Sequence, residues 1–234
     1  MSAIGAVTHD VVDLWLRPVG PHDLSELPSE GLLAPDERER ARRFASDEAR
    51  ALFVLSRSLL RTALAGCLGC APEVLRLDQR CAGCGAQHGK PRLVDPASDL
   101  AFNLSHTRGL IALAVCRGHE IGIDVEWRGR AGTMPELVPL LMSAEELAWL
   151  ERIPEARRPA LLLDCWVRKE ALLKATGEGL SADLRELSLP QERDALQVCR
   201  RAGTWWGVCR LAVGPDHLGA VAVRECLPRL RRHS

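Results

Sequence analysis

The stretch GLIALAVCRGHEIGIDVE, Gly109 to Glu126, governs how the rest of the chain is read. Gly109–Arg117 and Ile121–Glu126 are apolar runs of strand length, and Arg117-Gly-His-Glu120 between them has turn composition. The two runs are expected to pair as a hairpin. Strand side chains alternate faces, so Asp124 and Glu126 share one face while Ile123 and Val125 take the other. Two carboxylates side by side repel unless something neutralises them. A divalent cation does so, and hard Mg2+ favours oxygen ligands; a solvated strand face is the plainer explanation.

Outward from this stretch the chain repeats itself. Upstream, Pro35 to about Leu68 is expected to be one helix, with a proline and acids at its start. Leu52, Leu55, Leu59, Leu60, Ala63 and Leu64 recur at helical spacing within it. Short strands are expected at Val74–Leu77, Pro91–Val94 and Leu100–Leu104. Downstream, Ser143-Ala-Glu-Glu146 has the form of a capping box and opens a helix to about Arg152. A second helix is expected over Arg158–Ala175, stopped by Thr176-Gly177. Strands are then expected at Leu184–Leu189, Leu196–Arg200, Trp205–Val213 and Leu218–Arg224. Helices followed by antiparallel strands, twice over, make an α+β class. The expected architecture is a pseudo-two-fold duplication of two similar helix-plus-antiparallel-sheet halves, residues 1–127 and 128–234.

Composition narrows the function. The 31 Lys and Arg balance 31 Asp and Glu, so there is no basic excess with which to grip nucleic-acid phosphates. No run approaches the ~20 apolar residues of a membrane span, and no signal-peptide pattern opens the chain. A cytoplasmic monomer without nucleic-acid or membrane partners is expected. Five of the nine cysteines (Cys116, Cys165, Cys199, Cys209, Cys226) scatter through apolar runs, as reduced core thiols do. Only Lys90, Lys169 and Lys174 are lysines, against 28 arginines, which marks three places where a compact ammonium is needed and a planar fork will not serve.

Two of those lysines fall in Trp166-Val-Arg-Lys169-Glu170-Ala-Leu-Leu-Lys174. On a helix, Trp166, Glu170 and Lys174 stand one turn apart on one face. That is either an ordinary ion pair or an anion site. Phe102-Asn-Leu-Ser105-His106-Thr107 ends an apolar run in a polar cluster, which either binds a phosphate or closes a strand end by hydrogen bonds. Acids for Mg2+, with ammoniums and hydroxyls for phosphate, point to phosphoryl-type transfer on a nucleotide-like substrate. A Mg2+-dependent phosphohydrolase would use the same acids. A third reading is a zinc-ribbon interaction module, because Cys67-x2-Cys70-x10-Cys81-x2-Cys84, with His88 nearby, has the formal spacing of a structural Zn2+ site.

Gly89-Lys90-Pro91, Phe102-Asn-Leu-Ser105-His106, Gly122-Ile-Asp124-Val-Glu126 and the Trp166–Lys174 motif, in that order, resemble the two-domain 4′-phosphopantetheinyl transferases of the surfactin-synthetase-activating type. The resemblance runs from about Pro35 to Val223. It implies a holo-acyl-carrier-protein synthase activity. The phosphopantetheine arm of coenzyme A would pass to a serine of an apo acyl or peptidyl carrier protein of polyketide, nonribosomal peptide or fatty acid synthesis, and 3′,5′-ADP would leave. It also implies that Asp124, Glu126 and Glu170 hold Mg2+, or Mn2+ in its place. Glu170 would be the general base, directly or through a water, and Lys174 would steady the phosphate charge. Lys169 would contact the diphosphate, Ser105 and His106 would bind phosphate, and Lys90 and Pro91 would border the adenine. The chain departs from the family at Glu37, where some members carry a lysine near the 3′-phosphate; Arg38, Arg40, Arg43 and Arg50 are the replacements on offer. Glu146 resembles a family acid near the metal, although a capping box accounts for it equally well. Arg128, Arg130 and the segment Met134–Met142 are expected to meet the carrier.

Overall fold

The computed structural model describes residues 11–25, 28–80, 85–86, 89–179, 182–189 and 196–233. Its strands are β1 (Val11–Pro18), β2 (Arg76–Asp78), β3 (Arg92–Asp95), β4 (Leu100–Thr107), β5 (Leu110–Arg117), β6 (Ile121–Trp127), β7 (Leu196–Arg201), β8 (Thr204–Leu211), β9 (His217–Arg224) and β10 (Arg229–His233). The helices are α1 (Pro21–Ser25), α2 (Pro35–Ala41), α3 (Asp47–Leu68), α4 (Val138–Leu141), α5 (Ala144–Leu150) and α6 (Arg158–Thr176). Two four-stranded sheets, in the orders β10-β1-β5-β4 and β6-β9-β8-β7, accompany a small β2-β3 pair.

β5 and β6 do not form the expected hairpin. They lie in different sheets, and β6 pairs with β9, Asp124 opposite Ala220. The cause is burial on both sides of β6. Ile121, Ile123 and Val125 join Val12, Leu14, Ala112, Ala114, Leu211, Val221 and Val223 in one core between the sheets. The two runs therefore meet through side chains rather than through a shared ladder. The outer face of the first sheet packs on α3 through Phe102, Leu113 and Val115. That of the second packs on α6 through Trp206, Val208, Ala220 and Ala222. The result is four layers, helix–sheet–sheet–helix, with one long helix on the outer face of each four-stranded sheet.

The sheets do not divide the chain at residue 127. β6 belongs to the second sheet, and β10, the last described strand, returns to the first as a parallel neighbour of β1. The long helix expected over Pro35–Leu68 is two helices, because the Ser46 hydroxyl accepts from Ala49 N and caps a fresh start. Leu184–Leu189 is not a strand. Leu184–Glu186 is a 3-10 turn capped by Asp183, and Leu189 gives its N–H to the Glu146 carboxylate. By length and composition α3 is apolar enough to cross a membrane, against the sequence reading. Half of it is buried in the protein, where Arg61 pairs with Glu37 at 2.6 Å and donates to the Pro72 and Leu75 carbonyls.

Two contacts fix α6. Gly122 lies directly beneath it, and a Cβ there would sit 2.2 Å from the Ala171 carbonyl oxygen and 2.3 Å from Ala175 N. On the other side Lys169, wholly buried, gives its three donors to Glu146 (2.6 Å), the Leu141 carbonyl (2.6 Å) and the Leu184 carbonyl (3.0 Å). Gly122→Ala should push helix and strand apart and cost about 3 kcal/mol, the upper range of overpacking; an unchanged unfolding midpoint would refute the close approach. Lys169→Met strands the buried Glu146 carboxylate and should cost ~3–5 kcal/mol in urea unfolding.

Candidate active site

β4 and β6 are facing edges of the two sheets, joined by side chains. Asn103 Oδ1 accepts from Ile123 N (3.0 Å), Ser105 Oγ from Val125 N (3.3 Å) and Thr107 Oγ1 from Trp127 N (3.2 Å). The hydroxyls then reach the acids. Ser105 donates to Asp124 Oδ1 (3.0 Å) and Thr107 to Glu126 Oε2 (3.2 Å). Because Gly122 admits α6 so closely, Glu170 and Lys174 come down beside these carboxylates. Lys174 Nζ lies 2.6 Å from Asp124 Oδ1 and 2.9 Å from Ser105 Oγ.

Three acids and two bases thus share one place. Arg130 pairs with Glu126, and its guanidinium lies over the Trp166 ring, 4.9 Å from the centroid. Positive charge does not fully offset the acids. Burial and then the Asp124 carboxylate push Glu170 above its ordinary range. Burial and Asp124 also raise Glu126, against the pull of Arg130. Asp124 Oδ2 and Glu170 Oε1 are buried without a hydrogen-bond partner. Buried polar atoms normally have partners, so two orphaned oxygens on neighbouring acids call for a cation. The donor set, oxygens only, fits a hard divalent ion. Among the described residues, no three acids, cysteines or histidines are gathered tightly enough to hold one as they stand. Lys174 and Arg130 hold Asp124 and Glu126 instead.

Other expected site residues are placed differently. Lys169 cannot contact a diphosphate, because it is buried and its three donors are used. Glu146 is no metal-site acid. It closes the Ser143 capping box and serves Lys169. Ser105 is buried between β6 and Lys174, while its neighbour His106 is partly open to solvent; desolvation of its covered part and the nearby Lys174 charge hold that imidazole below its ordinary range. Lys90 binds Glu120 (2.5 Å) and the Ala175 carbonyl (3.0 Å), next to Lys174 on α6. With Pro91, His119 and Arg224 it lines a cleft of about 640 Å3. Arg43 is paired with Glu39, and Arg50 with Glu30 at 2.6 Å, at the α2–α3 corner. Glu37 is a buried partner of Arg57 and Arg61. Cys81, Cys84 and His88 lie outside the described residues; Cys67 and Cys70 pack against the α3 core. Within Met134–Met142, Met134, Leu141 and Met142 are core, and Leu140 is exposed.

Sequence reasoning missed three features: the Asn103–Ser105–Thr107 rungs, the Arg130–Trp166 stack and an exposed pair in which Arg108 lies over Trp127, 4.7 Å from the ring centroid. The N-x-S-x-T alternation on β4 was the available signal for the rungs.

Residues 120–212 match the model of the 4′-phosphopantetheinyl transferase superfamily. The chain is 32% identical to the 4′-phosphopantetheinyl transferase HetI of Nostoc over 92% of its own length and 88% of that protein. It is 26% identical to the 4′-phosphopantetheinyl transferase Sfp of Bacillus subtilis, covering 76% of this chain and 74% of that one. The human L-aminoadipate-semialdehyde dehydrogenase-phosphopantetheinyl transferase is 28% identical over 82% of this chain and 67% of its own length. A likeness that extends across both sheets and both long helices, and not merely the motif strand, makes the chain a member of the 4′-phosphopantetheinyl transferase superfamily.

Proposed function

We propose that the Asp124, Glu126, Glu170 and Lys174 cluster is where this 4′-phosphopantetheinyl transferase moves the arm of coenzyme A to a carrier-protein serine. The observation that carries the reading is the pair of orphaned buried oxygens on Asp124 of β6 and Glu170 of α6. Asp124, Glu126 and Glu170 would hold the divalent cation, with Mg2+ the ion favoured by an all-oxygen set. When bound, it supplies neutralisation of the pyrophosphate charge. Glu170, its proton affinity raised by burial and by the Asp124 charge, takes the proton from the carrier serine hydroxyl. The freed oxygen attacks the phosphorus on the pantetheine side, the bond to the bridging oxygen breaks, and 3′,5′-ADP leaves. The Lys174 ammonium, held at the cluster by Ser105 and Asp124, steadies charge on the departing oxygen. Lys90 and Pro91 border the nucleotide side, and His106 stands at the rim for a phosphate. The 3′-phosphate falls to an arginine of the α2–α3 corner, Arg43 or Arg50. A cytoplasmic monomer belongs to the same proposal, as does a polyketide, nonribosomal peptide or fatty acid carrier as acceptor.

Arg130 is tied to Glu126 and Trp166, so the exposed cations left for an acidic carrier helix are Arg128 and Arg108, beside exposed Trp127 and Leu140. Glu170→Gln should lower kcat about 10²- to 10⁴-fold, the scale of a general base, with the unfolding midpoint preserved. Full activity in a mass-shift assay on an apo carrier would refute the assignment. Arg128→Glu with Arg108→Glu should raise the carrier KM about tenfold and leave the coenzyme A KM unchanged, as rim charges steer association; no change in either would show that the carrier docks elsewhere.

A further inference from the structure

The two cations at the carboxylates are not equivalent. Lys174 comes from α6 and is shared by Ser105 and Asp124. Arg130 lies just past β6 in the 3-10 segment Arg128–Leu137, four residues beyond Glu126, with its side chain 36% exposed. Among the described residues its one ion-pair partner is Glu126 and the ring beneath it is Trp166; its charge also reaches Glu170. Trp166 stands one helical turn before Glu170. A single solvent-facing side chain therefore spans from the acid strand to the helix that carries Glu170.

This placement explains a conflict within the site. Asp124 is 95% buried by its 5% exposure and leaves Oδ2 without a partner, yet the three acids are not drawn together. Arg130 holds Glu126 by Oε1, while Thr107 holds Oε2. A cation gathering all three acids has to take Oε1 from Arg130. Lys174, 30% exposed, is held by two groups, Ser105 and Asp124, so its departure would cost two hydrogen bonds. Arg130 has water to move into, and its aromatic contact is lost when it moves.

We propose that Arg130 is a displaceable counter-ion. It holds Glu126 when no divalent cation is present and gives it up, leaving the Trp166 ring, when a cation joins Asp124, Glu126 and Glu170. The inference rests on the cation reading given above. It makes cation affinity the outcome of a competition within the chain, and it couples occupancy to the surroundings of Trp166.

Calorimetric titration of the full chain with Mg2+, without coenzyme A, tests the competition. Arg130→Gln should bind Mg2+ about fivefold tighter than wild type, the factor carried by a part-exposed ion pair. Arg130→Lys keeps the charge and should bind as wild type does. Tryptophan emission should change on Mg2+ addition in wild type, and that change should vanish in Trp166→Phe and in Arg130→Gln. Equal or weaker Mg2+ binding by Arg130→Gln, with its circular dichroism unaltered, overturns the counter-ion role and leaves the cation site standing. Mg2+ binding to neither chain overturns the cation reading, and the counter-ion with it.

Discussion

Everything at the site depends on how the open edge of β6 is satisfied. An edge strand exposes alternate N–H groups, and leaving them buried without partners would be costly. Ile123, Val125 and Trp127 find theirs on side chains of β4 rather than on its backbone. A side-chain rung is longer than a backbone ladder, so the two sheets stand apart along this seam and polar groups line it. The hydroxyls of Ser105 and Thr107 have a proton left to give, and each gives it to an acid on β6. The device that closes the edge therefore also orients Asp124 and Glu126.

Negative charge is concentrated there beyond what the protein offsets. Burial raises Glu126 and Glu170, and each feels Asp124 as a neighbour. Such an arrangement costs folding free energy, and it is held in place by contacts farther out. Gly122 brings α6 onto the strand, and the Lys169–Glu146 pair holds the same helix from behind. Adjacent residues on α6 divide the labour: Lys169 points into the core and Glu170 to the acids.

Much of this was legible in the sequence, for identifiable reasons. The alternation in Ile121–Glu126 fixes which side chains share a face, and the one-turn spacing of Trp166, Glu170 and Lys174 fixes a helix face. Both patterns are local, and both hold in the structure. What local pattern does not carry is partner choice. Gly109–Glu126 reads equally well as a hairpin or as two strands in separate sheets, and only the core around Ile123 decides. Lys169 and Lys174 look alike as scarce lysines, yet one is sealed behind Leu141 and Leu184 and the other sits at the acids. β10, Arg-Leu-Arg-Arg-His, has no apolar alternation to announce a strand; its place on β1 comes from Asp13, which pairs with Arg231 and His233.

That last strand has a consequence for how the protein is made. Asp13 and Arg231 are separated by 218 positions, and the first sheet lacks its outer member until residues 229–233 have left the ribosome. β6 likewise waits for β9. Neither sheet is complete within its own half of the chain, because each takes a strand from across the junction. Contacts of such long range slow folding. The acids of β6 thus take their final place only once β9 has been made.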